Sequence, residues 1–576
     1  MRPGARWILP TPDPATVAEL ASALKLRPVT ARVLAGRGFT NPDTARTLLK
    51  PSLAALHSPY LLAGMEAAVC RLRRAIEQKE KILIYGDYDV DGTTSIVILK
   101  KAIELAGGAA DFHVPHRLRD GYGMRTEVIE RAAQTGVKLV ISVDTGIRAT
   151  EVALAARELG IDMIITDHHL ADKELPPAVA VLNPCRPDCK YPEKILCGAG
   201  VTFKLVQALL GSLGWPPDKL ERMLKSFLKL VAVATVADVV PLTGENRVIV
   251  KYGLEGLDRV HNPGLRALLE VSGLLKGHAP SAHQVAFQIA PRINAAGRMA
   301  HAVDVIRLFL TQDPAEAKTL AEQLHALNQE RQQTEAEIVS RVLEQCAQHP
   351  VTDAECALVF SGVGWHRGVV GIVASRLVER FCRPVFVLSE EDGELSGSGR
   401  SIAAFHLVEA LESMPELFSR FGGHKQAAGL TLSGRHLEEF RDRLNTYAAA
   451  RLTPADFVPQ LALDTTACFD ELDDQAAGEL LSLAPFGFGN PAPLLGICGV
   501  QVGSGAALLK ERHLKVELRQ NGRRLMMNGW NMSARQPELT AGAAIDAVMA
   551  LEHDHYAERN GWGFWCGVLK DFRTTQ

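Results

Sequence analysis

The sequence predicts an α/β protein with a parallel-sheet domain, a long connecting helix, a second α/β domain and a C-terminal β-barrel. Three observations predict it. From Lys81 to Leu182, short apolar runs alternate with amphipathic helical segments, the rhythm of repeated β-α-β units. After Asp313-Pro314, apolar positions recur at helical spacing as far as Val342. Beyond about Thr453, short strand-like runs follow one another between glycine turns.

The elements follow in order. KILIYGD reads as a short buried strand, and TTSIVILKKAIELAGG as a helix stopped by Gly107-Gly108. Then come the strand ADFHVP, a helix near Thr126–Gln134, the strand VKLVISVD, a helix near Thr150–Leu159, the strand IDMIITD and the strand AVAVLNP. A helical stretch runs from about Gly200 to Val240. In the next helix Asp313 suits the N-cap, Pro314 the first turn, and Glu316 completes a capping-box-like start. Leu320, Leu324, Leu327, Thr334, Ile338 and Val342 keep its helical spacing. At 1.5 Å per residue it would run about 50 Å, long enough to be a rod joining two domains. An α/β pattern resumes with CALVFSGVGWHRG and PVFVLSE and ends in the glycine-rich SGSGRS and FGGHKQAAGL. The expected divisions are an N-terminal segment (1–60), a first α/β domain (61–312), the connecting helix (313–349), a second α/β domain (350–452) and the barrel domain (453–576).

Composition bounds the function. Lys and Arg number 63 against 66 Asp and Glu, a net charge of −3, and 47% of the 576 residues are hydrophobic. That excludes a disordered chain or a small disulfide scaffold. A near-neutral sum leaves a polyanion partner open, because acids gathered around metal ions offset basic patches elsewhere. MRPGARWILPTPDP has too short an apolar stretch for a signal peptide, and no run approaches the ~18 apolar residues of a membrane span. Ten irregularly spaced cysteines suit reduced thiols. The expectation is a cytoplasmic protein without a membrane partner.

Four acidic sites stand where strands or an apolar helix end. YGDYDVDG carries Asp87, Asp89 and Asp91; ISVDTG carries Asp144; IITDHH carries Asp167, His168 and His169; VATVADVVPL carries Asp238. Alone, an Asp after a strand ordinarily caps a turn or a helix. Together the sites converge, because ligands of open parallel sheets bind at the carboxyl ends of the strands. So many carboxylates in one crevice would repel one another without cations. Carboxylates with imidazoles and no thiolate suit two divalent ions, Mn²⁺ or Mg²⁺, with Asp144 as a bridge, the arrangement used for in-line phosphoryl displacement. Cys185, Cys189 and Cys197 lack a fourth zinc ligand and regular spacing. GAGVTFK and GVVGIVASR lack the Walker lysine-serine pattern, and no nucleophile elbow is present.

Other motifs suit anions. His424 and Lys425 follow the permissive Gly422 and Gly423, and Ser398 and Arg400 offer a hydroxyl and a bidentate guanidinium. Arg117 follows a strand on the acidic side, and Arg298 follows the small residues of INAAG. Each has a bland reading as a surface turn. Residues 505–530 hold six basic residues, including Arg519, Arg523 and Arg524, against Glu511 and Glu517, with Trp530 alongside. Basic strands beside an aromatic suit an OB-like barrel that tracks a single nucleic-acid strand.

YGDYDVDGTTS, VDTG and DHH, in this order, resemble the DHH phosphoesterase family, and FGGHKQAAG is similar to the signature of its associated C-terminal domain. IAPRINAAGR, GWHRGVVGIVASRL, SGRS and the terminal β domain are similar to the family's bacterial single-strand-specific exonucleases. The resemblance implies a DHH catalytic domain, a DHH-associated domain, and 5′→3′ removal of mononucleotides from single-stranded DNA in recombination and repair, alongside a single-strand-binding protein and a DNA helicase. It implies that Asp87, Asp89 and Asp144 surround one ion and that Asp91, Asp144, His168 and Asp238 surround the other. His169 then faces the substrate as phosphate ligand or acid. Many relatives carry a histidine before the first paired acids, where this chain has Tyr85 and Asp87, making its first site all carboxylate. Two alternatives stand beside this reading. One is a phosphodiesterase for short oligonucleotides or cyclic dinucleotides; the other is an inactive DNA-binding scaffold. The first 60 residues carry no readable function.

Overall fold

The structure, a computed structural model, describes residues 4–117, 119–121 and 123–574. It divides into two compact units, Leu53–Phe457 and Met1–Ser52 together with Val458–Gln576.

The first unit begins with a five-stranded parallel sheet ordered Ala110–His113, Lys81–Tyr85, Val137–Val143, Asp162–Thr166, Ala180–Leu182. Its strands are buried on both faces, which is why they read as continuous apolar runs. Ile82, Ile84, Leu139 and Ile141 enter one core while Leu83, Tyr85 and Val140 enter the other, following the two-residue period of a strand. The chain passes from Lys81–Tyr85 to one neighbour and then returns to the other. The order therefore reverses between Lys81–Tyr85 and Val137–Val143, the crevice where such sheets bind ligands.

Helices continue well past Val240: Gly244–Glu255, Pro263–Val271, Ala290–Met299 and Val303–Leu310 complete the first core. The long helix spans Pro314–Gln348. Asp313 caps it, its carboxylate accepting the Ala315 N–H at 2.9 Å. The expected capping box does not form. Glu316 turns instead to Thr311 Oγ1 (2.6 Å) and Arg307 (3.0 Å), because a donor from the preceding loop and one from the helix Val303–Leu310 outcompete one cap amide. Ala317, Leu320, Ala321 and Leu324 join the first core, whereas Ile338 and Val342 join a core of the second domain. Between them Asn328, Arg331 and Glu335 are buried polar residues, with Arg331 bonded to both others at 3.0 Å and Glu335 also paired to Arg376.

The second domain is a mixed sheet ordered Phe418–Gly423, Ala427–Ser433, Glu394–Arg400, Val385–Glu391, Leu358–Val363, in which only the last two strands run parallel. Both glycine-rich stretches lie largely within strands. A Cβ on Gly399 would run into the Phe386 ring, so glycine here serves close packing. Gly423, at φ 144°, lets the hairpin close, its Cβ position being 2.6 Å from Ala428 Cα.

In the other unit, strands Leu495–Val502, Ala544–His553, Trp565–Thr574, Arg523–Gly529 and His513–Gln520 pair in sequence. The last pairs back to the first, closing a five-stranded OB-like barrel. The segment Met1–Ser52 belongs to this unit. Strand Arg6–Ile8 pairs with Gln460–Ala462, Leu20, Val29, Val33 and Leu34 lie in the barrel unit's core, and Arg37 bonds Asp464 at 2.6 Å. Among the described residues no single helix is long and apolar enough to cross a membrane.

Candidate active site

The acids gather at the switch point because strand register puts them there. Tyr85 pairs with Ser142 and Val143 with Thr166, so Asp87, Asp144 and Asp167 leave three adjacent strands at one level. Asp144 takes a left-handed φ of 59°, and its amide donates to Thr166 O at 2.9 Å. Asp89 caps the helix Val90–Leu105 by accepting the Gly92 N–H at 3.0 Å. Asp91, in that helix's first turn, accepts the N–H groups of Gly198 (2.6 Å) and Ala199 (2.7 Å) at the start of the helix Gly198–Gly211. Asp238 caps the end of Pro217–Ala237.

One donor atom from each of Asp87, Asp89 and Asp144 lies within 4.8 Å of the others, and the same holds for Asp91, His168 and Asp238 and for Asp144, His168 and His169. His168 Nε2 is 3.2 Å from Asp144 and 3.8 Å from both Asp91 and Asp238. Burial, then the neighbouring acids, push the Asp87 and Asp144 carboxyls well above the usual range and Asp238 up to about 9. Burial also lowers His168, favouring the neutral imidazole that ligates metals. Asp87 Oδ1 and Asp144 Oδ1 are buried and accept no hydrogen bond among the described residues. Crowded carboxylates with orphaned oxygens, joined by an imidazole, fit hard divalent ions, which would neutralise them and take up the free lone pairs.

Asp167, conspicuous in the sequence, stands outside the two acid-rich donor sets. It is fully buried and accepts the N–H groups of Ile147 (2.9 Å), His168 (2.7 Å) and His169 (3.1 Å), with His169 Nδ1 at 2.7 Å. Burial works against its ionisation, but these bonds hold the carboxyl below the usual range and His169 above its own. This orienting role went unread, although the DHH triplet itself was the signal.

Three guanidinium groups gather beside the acids. Arg117 lies over the Tyr88 ring, 4.8 Å from its centroid, and its charge acts on Asp87. Arg298 donates to Gly368 O at 2.9 Å; burial, then Arg117, Arg331 and Arg400, push it down to about 9. Arg400 is lowered by burial and by Arg117. A Cβ on Gly371 would lie 3.2 Å from Arg400 Nη2 and 3.5 Å from Ser398 Oγ, so this glycine leaves the pair room. His424 and Lys425 sit on an exposed hairpin tip; Ala427 beyond it pairs with Arg400. On the barrel, Arg519 pairs in register with Arg524 but bonds Glu517 at 2.6 Å, and Arg523 meets Asp470 at 3.1 Å. The basic strip is thus partly neutralised by an acid outside the stretch that defines it in sequence.

A parallel sheet with acids at its switch point, followed by a helix-linked mixed sheet, defines the DHH class: residues 81–235 match the DHH family, N-terminal domain, and 354–450 the DHHA1 domain. Residues 463–564 match the RecJ OB domain. The single-stranded-DNA-specific exonuclease RecJ of Bacillus subtilis is 38% identical over 96% of this chain and 69% of its own. RecJ of Thermus thermophilus, solved in complex with Mn²⁺, superposes with a TM-score of 0.82 at 34% identity, covering 100% of this chain and 80% of that one. Its Mg²⁺ complex gives 0.77 at 32%, covering 99% and 79%. The chain belongs to the RecJ family of single-stranded-DNA-specific exonucleases.

Proposed function

We infer that the protein is a metal-dependent exonuclease that degrades single-stranded DNA to mononucleotides from the 5′ end. One observation carries the reading: acid-rich donor sets meeting around Asp144 and His168 stand beside a cluster of mutually repelling arginines. Asp87, Asp89 and Asp144 would hold one Mn²⁺ or Mg²⁺, and Asp91, Asp144, His168 and Asp238 the other. When bound, such a pair supplies an activated water and neutralises charge on the phosphoryl oxygens. His169, held by Asp167, presents its other ring nitrogen to a phosphate oxygen or the leaving oxygen. Arg117, Arg298, Ser398 and Arg400 bind the terminal phosphate. A terminal phosphate carries about −1.5 to −2 charge against −1 for an internal diester, so three clustered cations select the end of the strand. His424 and Lys425 extend that anion surface.

The barrel supports a polymer substrate. Trp530 is 44% exposed, and Arg519, Arg523 and Arg524 lie on its strands. A setting in recombination and repair, a cytoplasmic location, and work beside a helicase and a single-strand-binding protein complete the reading. Ten unpaired cysteines support a reducing compartment.

The test is digestion of end-labelled single strands, with and without a 5′ phosphate, by wild type and Arg400→Ala. A 5′ label should be released first by wild type. The variant should raise KM for phosphorylated ends about 10- to 100-fold, matching the ~1.5–3 kcal/mol of a hydrogen bond to a charged group. Release from the 3′ end, or equal effects on both kinds of end, would remove the phosphate anchor.

A further inference from the structure

The barrel unit holds a second group of metal-type donors, separate in sequence and chemistry from the acid cluster. His553 ends the strand Ala544–His553, His555 opens the short helix His555–Arg559, and Glu558 follows on that helix. Glu558 Oε2 lies 3.7 Å from His553 Nε2 and 3.5 Å from His555 Nδ1, and the two imidazole centroids are 4.1 Å apart. One donor atom from each residue falls within 4.8 Å of the other two. Ligands around a tetrahedral ion with bonds of about 2.0–2.1 Å stand about 3.3 Å apart, so both measured separations are within a few tenths of an ångström of a coordination shell.

The backbone holds this arrangement in place. Asp554, between the two histidines, accepts the N–H groups of Tyr556 (3.1 Å) and Ala557 (2.8 Å), fixing the turn that aims His555 and Glu558 the same way. Its amide donates to Phe564 O at 2.9 Å, and His553 pairs with Trp565 in the ladder. Little ordering remains to be done when an ion arrives.

Two imidazoles and one carboxylate select differently from the acid-rich switch point. Imidazole suits Zn²⁺, Cu²⁺ or Ni²⁺, whereas Mg²⁺ prefers oxygen ligands. We propose that His553, His555 and Glu558 form a Zn²⁺ site on the barrel, with water in the fourth position. The ion clips residues 554–564 to the strand. That segment bears Tyr556 and Trp562, 66% and 72% exposed and packed edge to face at 5.8 Å, so the site sets the position of an exposed aromatic pair.

The test uses the full chain with Asp144→Ala, which removes a donor from the acid cluster, in millimolar Mg²⁺ to suppress adventitious binding there. After dialysis against micromolar Zn²⁺, elemental analysis should find about one Zn²⁺ per chain. Adding His555→Ala or His553→Ala should abolish it, and Glu558→Gln should weaken it. Zn²⁺ should also change tryptophan emission in the Asp144→Ala protein but not after His555→Ala. All four side chains are substituted in chains whose circular dichroism and melting confirm folding. No Zn²⁺ in the parent, or Zn²⁺ undiminished from the parent level after His553→Ala and after His555→Ala, overturns the proposal. Neither result bears on nuclease activity, which is read separately with the unsubstituted acid cluster.

Discussion

Asp144 and its neighbours compete for charge, and that competition is measurable. Asp87, Asp91, Asp144 and Asp238 all have raised pKa values, chiefly through burial and, for Asp87, Asp144 and Asp238, then through neighbouring acids; Asp238 reaches about 9. Raised carboxyls favour the folded state below their unfolded pKa of ~3.9, and that contribution is lost as pH rises through the folded values. Metal-free protein should therefore lose stability from about pH 4 towards 9, while metal binding, which displaces those protons, strengthens. The rise in Tm on adding Mn²⁺ should be larger at pH 8 than at pH 6; a pH-independent rise would show that no protons are exchanged. Asp167 offers a different test because it orients His169 without joining the two acid-rich sets. Asp167→Asn should lower kcat about 10- to 100-fold, as lost supporting contacts do, with KM and the Mn²⁺-induced Tm rise nearly unchanged. Loss of the Tm rise would place Asp167 in ion binding instead.

At the scale of elements, the start of the helix Gly198–Gly211 shapes the crevice as much as the strands do. Its first amides hold Asp91, and a Cβ on Gly198 would lie 2.5 Å from Asp144 Oδ1 and 2.8 Å from its Cγ. Asp144 is short, buried and already left-handed, so it has no easy retreat. Gly198→Ala should cost about 1–3 kcal/mol of stability, as overpacking does, and should weaken Mn²⁺ binding in a calorimetric titration. Unchanged affinity would show that the helix can back away. The long helix works on the same principle of shared packing. Its two halves belong to different cores, and the polar trio Asn328, Arg331 and Glu335 lies between them.

For the molecule as a whole, the N-terminal helices have their place in the barrel unit. Leu20, Val29, Val33 and Leu34 are fully buried there, each worth about 1.5–3 kcal/mol of apolar burial, a sum comparable to a whole domain's stability. Deleting residues 1–52 should unfold or aggregate the barrel unit while leaving the melting transition of Leu53–Phe457 in place. Calorimetry and limited proteolysis would read the two separately, and an unaltered barrel transition would make those helices accessory.

Local pattern was enough for the parallel sheet, the long helix and the convergence of Asp87, Asp89, Asp91, Asp144, His168 and Asp238. Strand period, helix caps and the rule that ligands meet strand ends all act within a few residues. The helices between Gly244 and Leu310 were not legible, because they are short and Gly244–Glu255 buries the polar Glu245, Asn246 and Arg247 in its first turn, which masks its apolar face. Nor was the packing of Leu20 and Leu34 into one core with Leu480 and Phe572. The acid Asp470 that meets Arg523 was hidden likewise, 53 residues before it in the chain. The sequence by itself determined which side chains each element carries and which way its own period turns them. Which distant elements share a core was decided only by the tertiary packing of complementary surfaces, a contact that no local spacing encodes.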